Sequence, residues 1–272
     1  MILYVFILCL ILLLALRFLY LGRSRTRCKV ATTNFDAQNK NNEPFIIQKE
    51  KECLIIVTDP VGSLRIGGSA CLIAQEIIAD HYETNHANSI SISPADFLKK
   101  ACFLAHRAIS EQMNANSGGC SIALIYINKK KLSYVSVGDI GIYGCKDELV
   151  QLNQLDLYKY QLRNQVLMRK ISEERLLNNR LRNELTAYLG HENLKRVNLN
   201  EQPIKLFRRD KLLIATKSVY DVITPLTIET IILKRGKPMN RIKDLERIYH
   251  EQKQASEKGQ RPGSAVIVSR FR

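Results

Sequence analysis

Asp59 ends an apolar run within LIIVTDPVGSLRIGG, residues 54–68, where Pro60 and Gly62 are expected to break a strand ahead of a helix-like segment. A strand that ends on a carboxylate and a tight turn holds that carboxylate at a sheet edge. There it can ligate a hard metal ion or act as a general base. Its chemistry then depends on partners supplied from elsewhere in the chain. Other reactive side chains show no comparable arrangement. His81, His86, His106, His191 and His250 have no ligand spacing to one another, and His191 reads as an exposed loop residue. Ser69 and Ser121 have neither a base partner nor a nucleophile elbow. Gly67-Gly68 is too short to cradle a phosphate, and there is no Walker pattern. The seven cysteines are odd in number and form no CxxC pair, which predicts reduced, buried thiols that act as small hydrophobes.

The elements around Asp59 follow from periodicity. Residues 45–48 and 53–58 read as a hairpin, followed by a helix over 69–81 with apolar positions at helical spacing. Ser93, Pro94 and Asp96 mark the cap, first position and third position of a second helix. A four-strand meander is expected over 121–152, with Lys129-Lys130-Lys131 as a solvated hairpin tip and Asp139 at a Gly-Asp step. Residues 155–190 turn helical and basic, with one helix expected from Ser172 to Leu189, closed by Gly190. Strands near 204–207 and 212–216, a helix from about Thr227, a surface helix over 242–252 and a closing strand over 265–269 complete the chain.

The chain carries 41 Lys+Arg against 26 Asp+Glu, a net charge of +15, with ordinary globular hydrophobic content of 46%. That balance points to an acidic partner, such as a phosphorylated protein or an anionic membrane. No zinc-finger spacing, RNP-like strand or Gly-rich basic tail is present, so no specific nucleic-acid binding is expected. Residues 1–16 hold no charge, and the apolar character resumes after Arg17 up to Gly22. At about 1.5 Å per residue this is just long enough for one transmembrane helix. Arg23, Arg25, Arg27 and Lys29 on its carboxyl flank place that flank, and the body of the chain, on the cytoplasmic side of a single-pass anchor. The expected organisation is an anchor at 1–22, a basic and polar linker at 23–37 and one domain at 38–272.

In order, these pieces resemble the metal-dependent protein phosphatases, the type 2C or PPM-type serine/threonine phosphatases, over roughly residues 38–270. TDPVG falls at that family's Asp-Gly-Met-Gly-Gly turn. SGGCSIALIYINKKKLSYVSVGDIGIYGCKDELVQL is similar to its Gly-Thr-Thr strand and Val-Gly-Asp-Ser-Arg turn. ISEERLLNNRLRNELTAYLG resembles its flap, RRDKLLIATKSVYDVIT its Ser-Asp-Gly block, and RPGSAVIVSRF its closing Asp-Asn strand. The resemblance implies an α+β fold: an αββα sandwich of two antiparallel sheets flanked by helices, here preceded by the N-terminal helix. It implies two Mg or Mn ions between the sheets that activate a bridging water.

By that resemblance Asp59 and the Pro60 carbonyl are metal ligands, and Asp139 is tied to a third, weaker metal. Asp210 and Asp221 match acidic positions that are structural. Three acidic positions of the family are occupied here by Pro44, Lys217 and Gly263. The family's phosphate-binding Arg is missing, with Asn39 or Lys40 near its place. Like charges 4 Å apart repel by about 4 kcal/mol at an effective dielectric of 20, and a dication doubles that against Lys217. The Lys217 ammonium is therefore expected to stand where a metal stood and to pair with Asp59. The flap cations, among them Arg169, Lys170 and Arg175, are candidate contacts for a phosphorylated or acidic partner. The implied function is a membrane-tethered pseudophosphatase that binds a phosphoprotein or kinase, with no cofactor. The alternatives are a divergent active phosphatase using Mg or Mn, with Glu43 as a further ligand, and a basic membrane-surface scaffold.

Overall fold

The computed structural model describes residues 10–13, 28–35, 43–49, 52–87, 92–113, 118–254 and 263–270. The expected anchor over 1–22 lies outside these residues apart from a helical stretch at 10–13. Among the described residues no helix is long and apolar enough to cross a membrane.

From the amino side the elements are β1 (Cys28–Asn34), β2 (Phe45–Gln48), β3 (Glu52–Gly62), α1 (Leu64–Ala87), α2 (Pro94–Gln112), β4 (Gly118–Asn128) and β5 (Lys131–Val137). They continue with β6 (Gly141–Cys145), β7 (Leu149–Gln151), α3 (Tyr158–Leu167), α4 (Glu173–Leu177), β8 (Asn198–Leu199) and β9 (Ile204–Lys205). The last are β10 (Lys211–Ala215), α5 (Lys217–Val222), α6 (Pro225–Leu233), α7 (Pro238–Gln254) and β11 (Ser264–Arg270).

One five-stranded sheet has the order β1-β11-β10-β6-β7. The other, six-stranded, runs β2-β3-β4-β5-β8, with β9 also on β5. Strand alternation divides the side chains between layers. Along β3, Leu54 and Ile56 pack under α1 and α2, while Ile55 and Val57 meet Ile214, Val266 and Val268 of the other sheet. On that sheet Leu213 and Ile267 turn outward against Ile231, Leu245 and Tyr249 of α6 and α7. These layers are the expected αββα sandwich.

The strands also define two ends. Gly62, Gly118, Val137, Gly141, Ala215 and Ser264 lie at one, where the candidate site forms. Cys28, Glu52, the Asn128–Lys131 turn, Cys145 and Lys211 lie at the other. Gln48 spans the two sheets at this second end, donating to the Cys28 carbonyl at 3.0 Å.

Several local expectations are revised. Cys28–Asn34 falls in the stretch that reads as a linker or an irregular entry strand, and it is a regular strand paired with β11 along its whole length. Pro60 does not break β3, which continues to Gly62 opposite β4. The described β2 pairing ends at Ile56, so among the described residues no strand pairs with that edge of β3 beyond it, and the position tolerates a residue without N–H. Helix α1 starts earlier than residue 69 and includes Gly67, where a Cβ would stand 2.6 Å from the Pro60 Cβ. The meander is split: β5 and β6 lie in different sheets, and the chain crosses at Gly138, whose φ of 98° is in the left-handed region. The Ser93 cap is as expected, with its hydroxyl accepting the Asp96 N–H at 3.1 Å. The six described cysteines are buried.

Candidate functional site

A cleft of about 640 Å³ opens at the first end of the sandwich. Its walls include Asp59, Asp139, Lys217, Ser218 and Asp221, with His191 and Tyr188 on the flap side. Asp59 has the parity of Ile55 and Val57, so β3 aims it between the sheets, and it is only 7% exposed. Its register partner is Ser121 on β4. That serine is no nucleophile: its hydroxyl donates to Asp139 Oδ1 at 2.8 Å and fixes the second carboxylate.

The turn carrying Asp139 is clamped from two more sides. Asp156 Oδ2 accepts the Gly138 N–H at 2.8 Å, and the Asp156 N–H donates to the Gly138 carbonyl at 2.8 Å. The Tyr220 hydroxyl donates to the Asp139 carbonyl. Burial pushes the Asp156 carboxyl up to about 6, with the Gly138 bond opposing and nearby Asp139 adding. Burial, and then Asp139, drive the Tyr220 phenol far above its ordinary value. A glycine is required at 138, because a Cβ there would lie 2.2 Å from the Ser121 hydroxyl.

Lys217 opens α5 and does reach the cleft wall, but the ion pair the structure gives it is with Asp221, not the expected Asp59. Its Nζ stands 3.0 Å from Asp221 Oδ2, one helical turn on. Asp221, expected to be purely structural, is therefore part of the site. Lys159 on α3 and Arg182 on the flap belong to the same charged neighbourhood. Burial lowers the Lys159 pKa first, Lys217 and Arg182 lower it further, and Asp221 opposes.

Gly263 is not simply a missing carboxylate. A Cβ at this position would lie 2.1 Å from Ser218 Oγ and 3.1 Å from Thr216 Oγ1. Ser218 and Thr216 hydroxyls are 3.1 Å apart, and Thr216 Oγ1 accepts the Ser264 N–H at 2.9 Å. The volume a residue-263 side chain would need is filled by a hydrogen-bonded hydroxyl pair.

The donor set does not fit a two-metal centre. Such a centre brings about four positive charges and needs several carboxylates around it. Here Asp59, Asp139 and Glu184 share the cleft with an ammonium, and Asp221 is engaged by that ammonium. Among the described residues no three of His, Cys, Asp and Glu are grouped closely enough to hold a metal ion.

The flap over 158–190 differs from the expected single helix. Only Glu173–Leu177 is helical beyond α3, capped by Ser172. Asn179 accepts the Leu181 N–H at 2.8 Å and Arg182 donates to the Leu177 carbonyl, so side chains compete with helical bonds. Leu177 and Leu181 are exposed. The flap is latched to β4 by paired bonds between Leu189 and Cys120, of 2.9 and 3.1 Å. Gly119 permits that approach, since a Cβ would lie 2.0 Å from the Leu189 carbonyl oxygen.

Arg169, Lys170 and Arg175 are exposed on the flap and do not line the cleft. Lys40 lies outside the described residues. Pro44 is buried just before β2, and Glu43 offers its carbonyl to Gln75 at 3.1 Å. His191 is half-buried on the cleft wall, not an exposed loop residue, with its ring 5.0 Å from that of Tyr188. Lys159, Asp156, Tyr220 and Ser121 were not assigned to the site by their residue patterns. None sits in a spacing that marks chemistry, and only packing of the flap and α5 brings them together.

No family model and no curated protein matches this sequence. Solved structures do. The serine/threonine phosphatase of S. agalactiae superposes with a TM-score of 0.70 at 17% identity, covering 90% of this chain and 100% of that one. The Mycobacterium tuberculosis serine/threonine phosphatase PstP/Ppp gives 0.68 at 17% identity, covering 91% of this chain and 100% of that one. The PstP catalytic domain, solved with 2 manganese ions, gives 0.64 at 17% identity over 90% of this chain and 98% of that one.

Proposed function

From a chain that has the fold of PPM-type serine/threonine phosphatases, we propose a membrane-tethered pseudophosphatase, a domain that binds a phosphorylated protein partner through its cleft without hydrolysing it. The observation that carries this reading is the Ser218 hydroxyl, 2.1 Å from where a Cβ at position 263 would stand. A side chain there requires the Ser218 hydroxyl to turn away, breaking its bond to Thr216, and the Ser218 Cβ, 3.2 Å from the new Cβ, to give way. At position 217 a lysine replaces the acidic residue expected from the resemblance. The cleft presents the Lys217 ammonium beside Asp59, Asp139, Glu184 and Asp221, and Lys159 and Arg182 are near enough to Lys217 to add to the positive field behind that wall.

That positive field suits a phosphate dianion as ligand. Lysine presents a point charge to phosphate and arginine a planar fork of donors. Asp59 and Asp139, both buried in the same cleft, then limit what enters. The apolar run at 1–22 with its basic carboxyl flank supports a single-pass anchor that holds the domain at the cytoplasmic face of a membrane. A kinase or its phosphorylated target is the partner class this arrangement serves.

The test pairs binding with turnover. Calorimetry with phosphoserine and phosphothreonine peptides should show binding that Lys217→Glu abolishes and that unphosphorylated peptides lack. Lys217→Ala should change stability by under about 1 kcal/mol, because a solvent-accessible i,i+4 pair is worth little. Loss of binding in that variant then reads the site rather than the fold. Hydrolysis of p-nitrophenyl phosphate that requires Mn and disappears in Asp59→Asn would refute the proposal in favour of a divergent enzyme.

A further inference from the structure

The end of the sandwich opposite the cleft has a character of its own. The β4–β5 turn brings Lys129, Lys130 and Lys131 there, all exposed. Beside it β9 pairs Lys205 with Lys131, and the following loop carries exposed Phe207, Arg208 and Arg209. Phe207 is 56% exposed, with Lys205 Nζ 5.5 Å from its ring centre. The loop is held in shape by the Phe207 N–H, which donates to Asp210 Oδ2 at 2.6 Å, and by the Leu206 N–H on the Lys130 carbonyl at 2.7 Å. Behind Phe207 lies a groove of about 550 Å³ with Leu132, Val150 and Leu152 in its walls. The acidic groups at this end are fewer. Asp210 is spent on its own loop, Glu52 accepts bonds from Asn128 and Tyr82, Asp147 stands 3.9 Å from Lys146, and Glu148 is the remaining exposed carboxylate of the β6–β7 turn.

We propose that this end is a docking face for an anionic lipid bilayer, with Phe207 entering the headgroup region and the surrounding lysines and arginines meeting lipid phosphates and carboxylates. An aromatic ring ringed by cations is the composition that binds at such interfaces, and each cation near an anionic leaflet adds to the attraction. The direction of the chain agrees. β1 begins at this end with Cys28, immediately after Arg23, Arg25 and Arg27. Residues 23–27 can span at most about 18 Å when fully extended. The seven residues of β1 run about 23 Å further before the cleft end is reached. A bilayer that holds residues 1–22 therefore meets the Lys129–Lys131 and Phe207 end, and the cleft faces away from it toward soluble partners. The inference rests on the anchor proposed above for the direction of approach, and on the face itself for the chemistry.

The sequence contains no tryptophan, so Phe207→Trp introduces a sole indole reporter into the full-length chain. A second variant, Leu181→Trp on the exposed flap, reports from the cleft end. Both are incorporated into phosphatidylcholine vesicles with brominated acyl chains, with and without phosphatidylserine. The expected result is a blue shift and quenching of Phe207→Trp that requires phosphatidylserine. It should weaken with added salt and fall to the neutral-lipid level when Lys129, Lys130 and Lys131 are changed to Glu. Leu181→Trp should stay unquenched throughout. Quenching of Leu181→Trp instead would overturn the orientation. Absence of quenching of Phe207→Trp with phosphatidylserine would overturn the lipid face and leave an acidic protein as its partner. Equal quenching in neutral vesicles would overturn headgroup recognition. Flotation of the unmodified full chain on neutral vesicles reads the anchor separately. If that alone fails, phosphatidylserine-dependent quenching still supports the face.

Discussion

Putting an acidic residue back at position 263 should damage the domain unless position 218 is changed with it. In Gly263→Asp, the new Cβ would lie 2.1 Å from Ser218 Oγ, against 3.4–4 Å for ordinary contact. Overpacking of this kind costs about 1–3 kcal/mol, and a carboxylate set among buried hydroxyls adds desolvation, for a total of about 3–5 kcal/mol. Ser218→Gly alone loses the hydroxyl pair with Thr216 and places glycine in α5, together about 1–2 kcal/mol. If the sites were independent, the double variant would lose about 4–7 kcal/mol. Removing the hydroxyl removes the collision, so the double variant should instead recover about 1–3 kcal/mol of that sum as coupling. Urea unfolding of the four proteins, followed by far-ultraviolet circular dichroism, measures the cycle directly. Adding Lys217→Asp to the double variant should create Mn-dependent stabilisation of about 1.4 kcal/mol when free metal is ten times its dissociation constant. Additivity of the two substitutions within about 0.5 kcal/mol would refute the claim that Ser218 fills the place of a carboxylate.

Two further outcomes follow from the buried groups. Asp156 is held up to about 6 by burial, so between roughly pH 4 and 6 the folded chain keeps a proton that the unfolded chain has released. Its contribution to stability is complete below the unfolded value near 4 and is lost as pH rises through 6. Asp156→Asn, which can still accept the Gly138 N–H, should flatten that part of the profile and raise stability at pH 7 by about 1–3 kcal/mol. Unfolding measured from pH 4 to 8 checks this, and an unchanged profile would contradict it. The Cys53 and Cys102 thiols are each pushed up to about 12, chiefly by burial. Native chain exposed to iodoacetamide at pH 8 should remain unlabelled at both until denatured, by peptide mass analysis, because the thiolate is the reacting form. Rapid labelling in the native state would show that these layers open.

Much of the sandwich was legible because its signals are local. Runs such as SIALIYI and LSYVSV place apolar side chains on both faces of a strand, and both faces prove to be covered. The Ser93-Pro94 start of α2 is a capping pattern that needs no distant partner. Where a distant partner decides, local reading fails. Cys28–Asn34 is a strand only because β11 lies beside it, and β5 and β6 part company because Gly138 sends the chain to the other sheet. The expected helix from Ser172 to Leu189 is not formed, and among the described residues no layer covers Leu177 and Leu181, so apolar spacing there has nothing to pack against.

The candidate site divides in the same way. Residue identity alone determined that Lys217 and Gly263 stand where the resemblance expects carboxylates, and that Asp59 and Asp139 remain. A side chain's charge is a property of its type, so that much needed no coordinates. Tertiary structure alone decided that Lys217 and Asp221 line the cleft with Asp59 and Asp139, that Ser218 occupies the space beside Gly263, and that His191 belongs to the cleft. Those facts depend on separations of a few ångströms between segments far apart in sequence. Only the packing of two sheets, a flap and a short helix sets such distances.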